Sequence, residues 1–330
     1  MAPRPAEATS LWDRFRAKLL APAGRIVDTG NAGRSHSEGQ GFAMLLAVAH
    51  DDRASFEALW DWTRTTLQIR DDALLAWAWE QGPAAVVDRN NASDGDLFVA
   101  WALLRAAERW QRPSARTAAE RILADLVRHC IVDRHGQRLL LPGAFGFVHA
   151  DHVVLNPSYW VFPAFAAFAA AGIAGPWTEL RASGLWLLDP FKDRPPGLPP
   201  DWCALGKGGI GPAPGFAYAF GFDAIRVPLY LRWALTAAAA RPWLAPIAAH
   251  AAGDLGTTPA VVDLTSGATS AYPVSPGAAA ILRLARQAVG DDAGGDLPGW
   301  DDRLDYYAAA LLLLAHLASA EMPDAQSGMR

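Results

Sequence analysis

Three short stretches of this 330-residue chain gather acids with amides, hydroxyls and glycines: Ser35-His36-Ser37-Glu38-Gly39-Gln40-Gly41, Asn90-Asn91-Ala92-Ser93-Asp94-Gly95-Asp96 and Gly221-Phe222-Asp223-Ala224-Ile225-Arg226. Each falls at a predicted helix start. Taken singly, each acid reads as capping: Ser37 or Ser93 accepts bonds from free N–H groups, and acids in a first turn favour the positive end of the helix dipole. Taken together they point to chemistry. Glu38 is followed by Gly39 and Gly41, which carry no side chain to crowd a ligand. Asp94 and Asp96 bracket Gly95 after two asparagines. Asp223 follows the aromatic-glycine run Tyr218-Ala219-Phe220-Gly221-Phe222 and precedes Arg226. An open set of carboxylates, amides and aromatics suits glycoside cleavage. One acid must be protonated to donate to a leaving oxygen, and another ionised to act on water or carbon.

The chain has 14 Trp and 13 Phe. Most belong in a core, where large rings bury the most area. A few can serve as flat platforms for the apolar faces of pyranose rings. Trp77, Trp79 and Trp160 are the candidates, because they flank loops or acidic clusters. Other chemistries lack their motifs: there is no phosphate-binding Gly-x-x-x-x-Gly-Lys-Ser/Thr, no His-Glu-x-x-His and no Gly-x-Ser-x-Gly. Gly206-Lys207-Gly208-Gly209 has no strand and helix arranged around it as a phosphate cradle. His149 and His152 flank Asp151, but a zinc site needs a further ligand. Asp94 and Asp96 alone make a poor cation site. No metal and no cofactor are expected.

These side chains need a scaffold, and the composition describes one. Hydrophobic residues make up 52% and charged residues 19%, which excludes a disordered chain and supplies a large core. The net charge of −5 and the lack of a basic stripe argue against nucleic acid as a partner. No run reaches the roughly 18 apolar residues of a spanning helix, so no membrane insertion is expected. Cys130 and Cys203 are too few for a disulfide scaffold or a cysteine zinc site, and one bridge would need their Cα atoms to come close. Met1–Ser10 shows no export signal; either the protein is cytoplasmic or a signal peptide has been removed.

Apolar spacing of three and four predicts helices at 11–20, 41–50, 52–67, 73–80, 97–110, 115–129, 157–171, 176–188, 223–240, 242–252, 276–289 and 301–318. Strands are few: 139–148 can form a small ribbon, and the Pro/Gly-dense stretch 195–214 reads as a long surface loop. Twelve helices in one chain fit paired helices in a ring, with helix N-termini and loops forming a groove at one end. A generic bundle is the alternative.

At the three acidic clusters the sequence resembles glycoside hydrolase family 8, the inverting endoglucanases, and most of all the branch encoded with bacterial cellulose synthase. The resemblance runs from about Gly24 to Ala318. Ser37-Glu38-Gly39-Gln40-Gly41 matches the segment of the family's proton donor. Ala92-Ser93-Asp94-Gly95-Asp96, continuing to Trp110, matches its best-known signature. Leu141-Pro142-Gly143, Asn156-Pro157-Ser158-Tyr159 and Tyr218–Arg226 follow in the family's order. Val262-Asp263 and Gly267 to Pro276 resemble a late loop of the cellulose-synthesis branch. Val99 replaces the usual Ile or Met, and Phe222 stands where a Tyr often precedes the aspartate.

The resemblance implies an all-α (α/α)6 barrel with a few short strands in loops, made of an extension and leading helix at 1–23 and one catalytic domain at 24–330. It implies hydrolysis of β-1,4-glucan with inversion, in the periplasm or outside the cell, with cellulose synthase machinery as a candidate partner. Glu38 would be the general acid, Asp223 the general base, and Asp94 the residue that holds and distorts the reacting sugar. Tyr159 and Arg226 would line the same subsite; Asn91, Trp77, Trp79 and Trp160 complete the expected substrate contacts. Glu38 is expected to be kept protonated by burial and neighbouring carboxylates, and Asp223 ionised beside Arg226. A xylanase, mixed-linkage glucanase or chitosanase on the same scaffold is the nearest alternative. A glycan-binding protein without turnover is the more distant one.

Overall fold

The computed structural model describes residues 10–82, 85–291 and 295–323. Eleven α-helices dominate the described residues: α1 (Leu11–Leu19), α2 (Ser37–Ala49), α3 (Arg53–Thr66), α4 (Ser93–Arg109), α5 (Pro113–Cys130), α6 (Phe162–Ala170), α7 (Trp177–Lys192), α8 (Arg226–Ala234), α9 (Ala237–His250), α10 (Pro276–Val289) and α11 (Tyr306–Glu321). Six of them close a ring: α2 packs on α4, α4 on α6, α6 on α8, α8 on α10, α10 on α11, and α11 back on α2. The helices α1, α3, α5, α7 and α9 pack around it, giving the (α/α)6 barrel.

The division between rings is written in the residues. In α2, Gly39 through Val48 are all buried, and in α11 the run Ala308–Ala315 is buried on every side, as for helices surrounded by protein. By contrast, α3 buries one face, Ser55, Phe56, Leu59 and Thr63. Residues 10–23, expected to lead into the domain, carry α1, whose Trp12, Phe15 and Leu19 are sunk in the common core beside α11. Met1–Thr9 lie outside the described residues.

The crossing of α2 and α4 depends on glycine. A Cβ at Gly95 would lie 2.2 Å from Ser37 Oγ and 2.8 Å from Glu38 N, and one at Gly41 2.6 Å from Phe98 Cβ. Gly39 likewise abuts α11, where a Cβ would lie 2.5 Å from the Tyr306 hydroxyl. These glycines let helices approach; they do not clear space for a ligand as expected from the sequence.

Short strands decorate the loops. β1 (Ser35–His36) pairs with β2 (Ala78–Trp79), and β3 (Ile131–Arg134) with β4 (Gln137–Leu140), all antiparallel. The expected ribbon at 139–148 does not pair with itself: Leu139 and Leu140 pair upstream with β3, and Val148 bridges downstream to Val153. β5 (His152–Leu155), β6 (Cys203–Gly206) and β7 (Gly209–Pro212) form a three-stranded sheet, and β8 (Ala219–Phe220) pairs with β9 (Val262–Asp263). The stretch expected as a surface loop, 195–214, therefore holds a hairpin at 203–212 with buried Cys203, Ala204 and Leu205 and a turn at Lys207 and Gly208. The predicted helix at 73–80 is extended. Its N–H groups go to distant partners: Leu75 to Asp96 Oδ1, Ala76 to Leu67 O and Trp77 to Asn90 O.

Candidate active site

The first turns of α2, α4, α8 and α11 meet at one end of the ring. Glu38 is the second residue of α2, Asp94 the second of α4, Arg226 the first of α8, and Tyr306 and Tyr307 open α11. Glu38, Asp94, Tyr306 and Tyr307 face a cleft of about 550 Å³, lined also by Asp223, Tyr159, Trp77, His36, Asp28, Asp305 and Phe222. Capping does not account for these acids. Ser10, Asp52, Thr236, Ser275 and Asp305 cap their helices with side-chain oxygens, whereas α2, α4 and α8 have no side-chain cap. Ser93 Oγ instead donates to Leu141 O at 2.7 Å.

Arg226 organises the site. Its side chain is 1% exposed. One nitrogen, Nη1, donates to Asp94 Oδ2 at 3.0 Å and to Glu38 Oε2; the other, Nη2, donates to Asp223 Oδ1 at 2.8 Å and Ser158 Oγ at 2.9 Å. Acids 185 residues apart in sequence are thus held by one planar group. The guanidinium bridges the two, with Nη1 on Glu38 and Nη2 on Asp223. Burial works against the Arg226 charge, yet the surrounding Glu38, Tyr307, Tyr230 and Asp94 hold its pKa well above the ordinary value. Asp223 also accepts from Asn156 Nδ2 at 3.0 Å.

Exposure grades the three carboxylates. Asp94 is 1% exposed, Glu38 18% and Asp223 31%. Burial, reinforced by the charge of Glu38, pushes Asp94 well above the carboxylate range. Tyr159 lies beside Arg226, whose Cζ is 5.8 Å from the ring centroid. Tyr307 Oη donates to the carbonyl of Phe222, so a hydroxyl pins the residue before Asp223 although Phe222 itself has none.

Of the expected tryptophans, Trp77 alone lines the cleft, braced by Asp88 Oδ2, which accepts from its Nε1 at 2.9 Å. Trp79 faces away, its ring 5.9 Å from Trp62 with Arg25 4.7 Å above it. Trp160 is 1% exposed and packs over Gly184, so it is a core residue and not a sugar platform. Asn91 is also corrected. It is 3% exposed; its Nδ2 donates to Asp96 Oδ2 at 2.7 Å and its Oδ1 accepts from Ala144 N at 2.8 Å. It ties the start of α4 to the 141–144 loop, out of reach of a substrate. Asp96, pushed up to about 8 by burial, belongs to that buried network and not to the cleft.

The sequence reading missed Tyr306, Tyr307 and His36, which line the cleft. A signal existed for the tyrosines: Asp305-Tyr306-Tyr307 opens an apolar helix, as the acidic clusters do. The described residues hold no group of three or more potential metal ligands, and Cys130 and Cys203 are buried free thiols.

A family model described as glycosyl hydrolases family 8 matches residues 2–321. The probable endoglucanase of Novacetimonas hansenii is 40% identical, over 97% of this chain and 93% of that protein. Endoglucanase Cel10 of Klebsiella pneumoniae, a family 8 glycosyl hydrolase, superposes with a TM-score of 0.87 at 40% identity, over 94% of this chain and 99% of that one. Endo-β-1,4-glucanase CMCax of Acetobacter xylinum gives 0.85 at 41% identity, over 94% and 97%. A match of this extent, on a ring of paired helices with carboxylates gathered at its mouth, places the chain in glycosyl hydrolase family 8 and makes it a glycoside hydrolase.

Proposed function

We propose that the protein is an inverting endo-β-1,4-glucanase. The observation that carries this reading is the convergence of Glu38, Asp94 and Asp223 on Arg226 in one open cleft. Asp223, the most exposed of the three, takes a proton from a water as the water attacks the anomeric carbon. Glu38 gives a proton to the departing glycosidic oxygen, so one proton is taken and one returned. Asp94, the buried acid beside them, holds the sugar at the reacting subsite and helps distort its ring. Arg226 holds all three acids in register, Tyr159 lines the reacting subsite, and Trp77 offers an apolar face to a sugar ring.

The choice of β-1,4-glucan follows the relatives near 40% identity, which are named endoglucanases. The residues Val262-Asp263 and Gly267 to Pro276 support a place in bacterial cellulose synthesis, where the enzyme trims nascent glucan in the periplasm or outside the cell, in association with the synthase machinery. Reducing-sugar release from carboxymethylcellulose, barley glucan, xylan and chitosan tests the substrate. Carboxymethylcellulose and barley glucan should be cleaved. Cleavage of xylan or chitosan alone would overturn the substrate, and no release from any would overturn the reading as a hydrolase of these glycans.

A further inference from the structure

We propose that Asp201 is a positioning residue for Asp223, an inference that rests on reading Asp223 as the general base. One oxygen, Asp201 Oδ1, accepts from the N–H groups of Gly221 at 3.1 Å, Asp223 at 3.0 Å and Ala224 at 2.7 Å. These groups belong to the turn that leads into α8, where Ile225 N bonds Gly221 O and Arg226 N bonds Asp223 O. The backbone of Asp201 is tied to the same region, its N–H donating to Ala219 O at 2.7 Å. Ile225 at the start of α8 offers no side-chain cap. A carboxylate from 20 residues upstream of Gly221 therefore satisfies the donors that the turn leaves open.

Fixing this turn fixes the base. With its backbone anchored by Asp201, the Asp223 side chain meets Arg226 Nη2 at 2.8 Å through one oxygen and Asn156 Nδ2 at 3.0 Å through the other. Gly221 is the counterpart of the arrangement, since a Cβ there would lie 2.7 Å from Asp201 Oδ2. Burial, aided by the charge of Asp223, pushes Asp201 up to about 7. Oδ1 can accept in both protonation forms, and asparagine reproduces the neutral one.

Three variants test this on the full chain with a soluble cello-oligosaccharide. Asp201→Asn keeps kcat within about threefold of wild type, whereas Asp201→Ala and Gly221→Ala lower kcat by about 10²-fold through misplacement of the base. KM stays within about twofold in all three, because the sugar-binding surface is untouched. Gly221→Ala moves only the carboxyl end of Asp201, so it serves where Asp201→Ala does not fold. Wild-type kcat in Gly221→Ala overturns the proposal, as does an Asp201→Asn as impaired as Gly221→Ala. Asp223→Asn separates the two readings. If it is inactive while Gly221→Ala is normal, Asp201 alone is misassigned; if it turns over normally, the base itself is misassigned.

Discussion

Replacing Arg226 with methionine probes the site through the group that organises it. The guanidinium, 1% exposed, donates to Asp94, Asp223, Ser158 and Glu38. Methionine occupies comparable space without charge, so three carboxylates lose the cation they share. Removing one partner of a buried ion pair costs about 3–5 kcal/mol. At ~2.1 cal/mol/K per residue the unfolding entropy of a chain of this length is about 0.7 kcal/mol/K, so Tm should fall by about 4–7 °C. The fall should depend on pH. A carboxyl whose folded pKa lies above its unfolded value contributes stability that is present below the unfolded value and lost as pH rises through the folded one. Asp94 is already raised by burial and by Glu38, and loss of the guanidinium raises it further. Scanning calorimetry at about pH 5 and about pH 8 should therefore find a larger deficit at the higher pH. Turnover should drop at least ~10³-fold, about 4 kcal/mol of transition-state stabilisation. A Tm within about 1 °C of wild type at both pH values would refute the reasoning.

Three further outcomes follow from the same geometry. Glu38→Gln should abolish turnover while leaving oligosaccharide binding within a few fold by calorimetry; near-normal activity would remove Glu38 from the mechanism. Trp77→Ala should weaken cello-oligosaccharide binding by about tenfold, about 1.4 kcal/mol, with little change in Tm, and unchanged affinity would mean that Trp77 does not touch the sugar. Asn91→Ala strands Asp96 Oδ2 and the Ala144 N–H, at about 1–3 kcal/mol for each unsatisfied group, so Tm should fall with KM unchanged; a raised KM at unchanged Tm would restore Asn91 as a substrate contact.

The elements legible in the sequence are those whose boundaries are set by neighbouring residues. Helix α10 is predicted at its observed limits: Ser275 caps its start and Gly290, at φ 87°, ends it in the left-handed region. Helix α3 begins after Asp52, whose side chain caps it by accepting from Ser55 N at 3.0 Å. The failures have distant causes. Residues 73–80 carry helical spacing, but Asp96, Leu67 and Asn90 claim their backbone donors and hold them extended. Residues 223–240, which read as one helix, break at Leu235, because Thr236 caps a second helix by accepting from Ala239 N at 3.3 Å. A continuous Ala/Leu pattern conceals such a break.

The site divides in the same way. Motifs in order group Glu38, Asp94, Asp223, Tyr159 and Arg226, and the structure puts them together at one cleft. Trp160 and Asn91 mislead because burial is a property of the whole packing. A tryptophan beside Tyr159 looks the same in sequence whether it faces the cleft or Gly184. Asp201 lies in a stretch dense in Pro and Gly that reads as a loop, and only the folded hairpin shows three N–H groups converging on it.

In the mechanism proposed for this cleft, two acids act from opposite sides of the reacting carbon with a water between them. Proton NMR on a freshly digested β-glucan oligosaccharide reads this directly, before the new reducing end equilibrates. The α-anomer should appear first, since attack by water opposite the departing oxygen inverts the β-linkage. Initial release of the β-anomer would contradict the mechanism and require a covalent glycosyl intermediate instead.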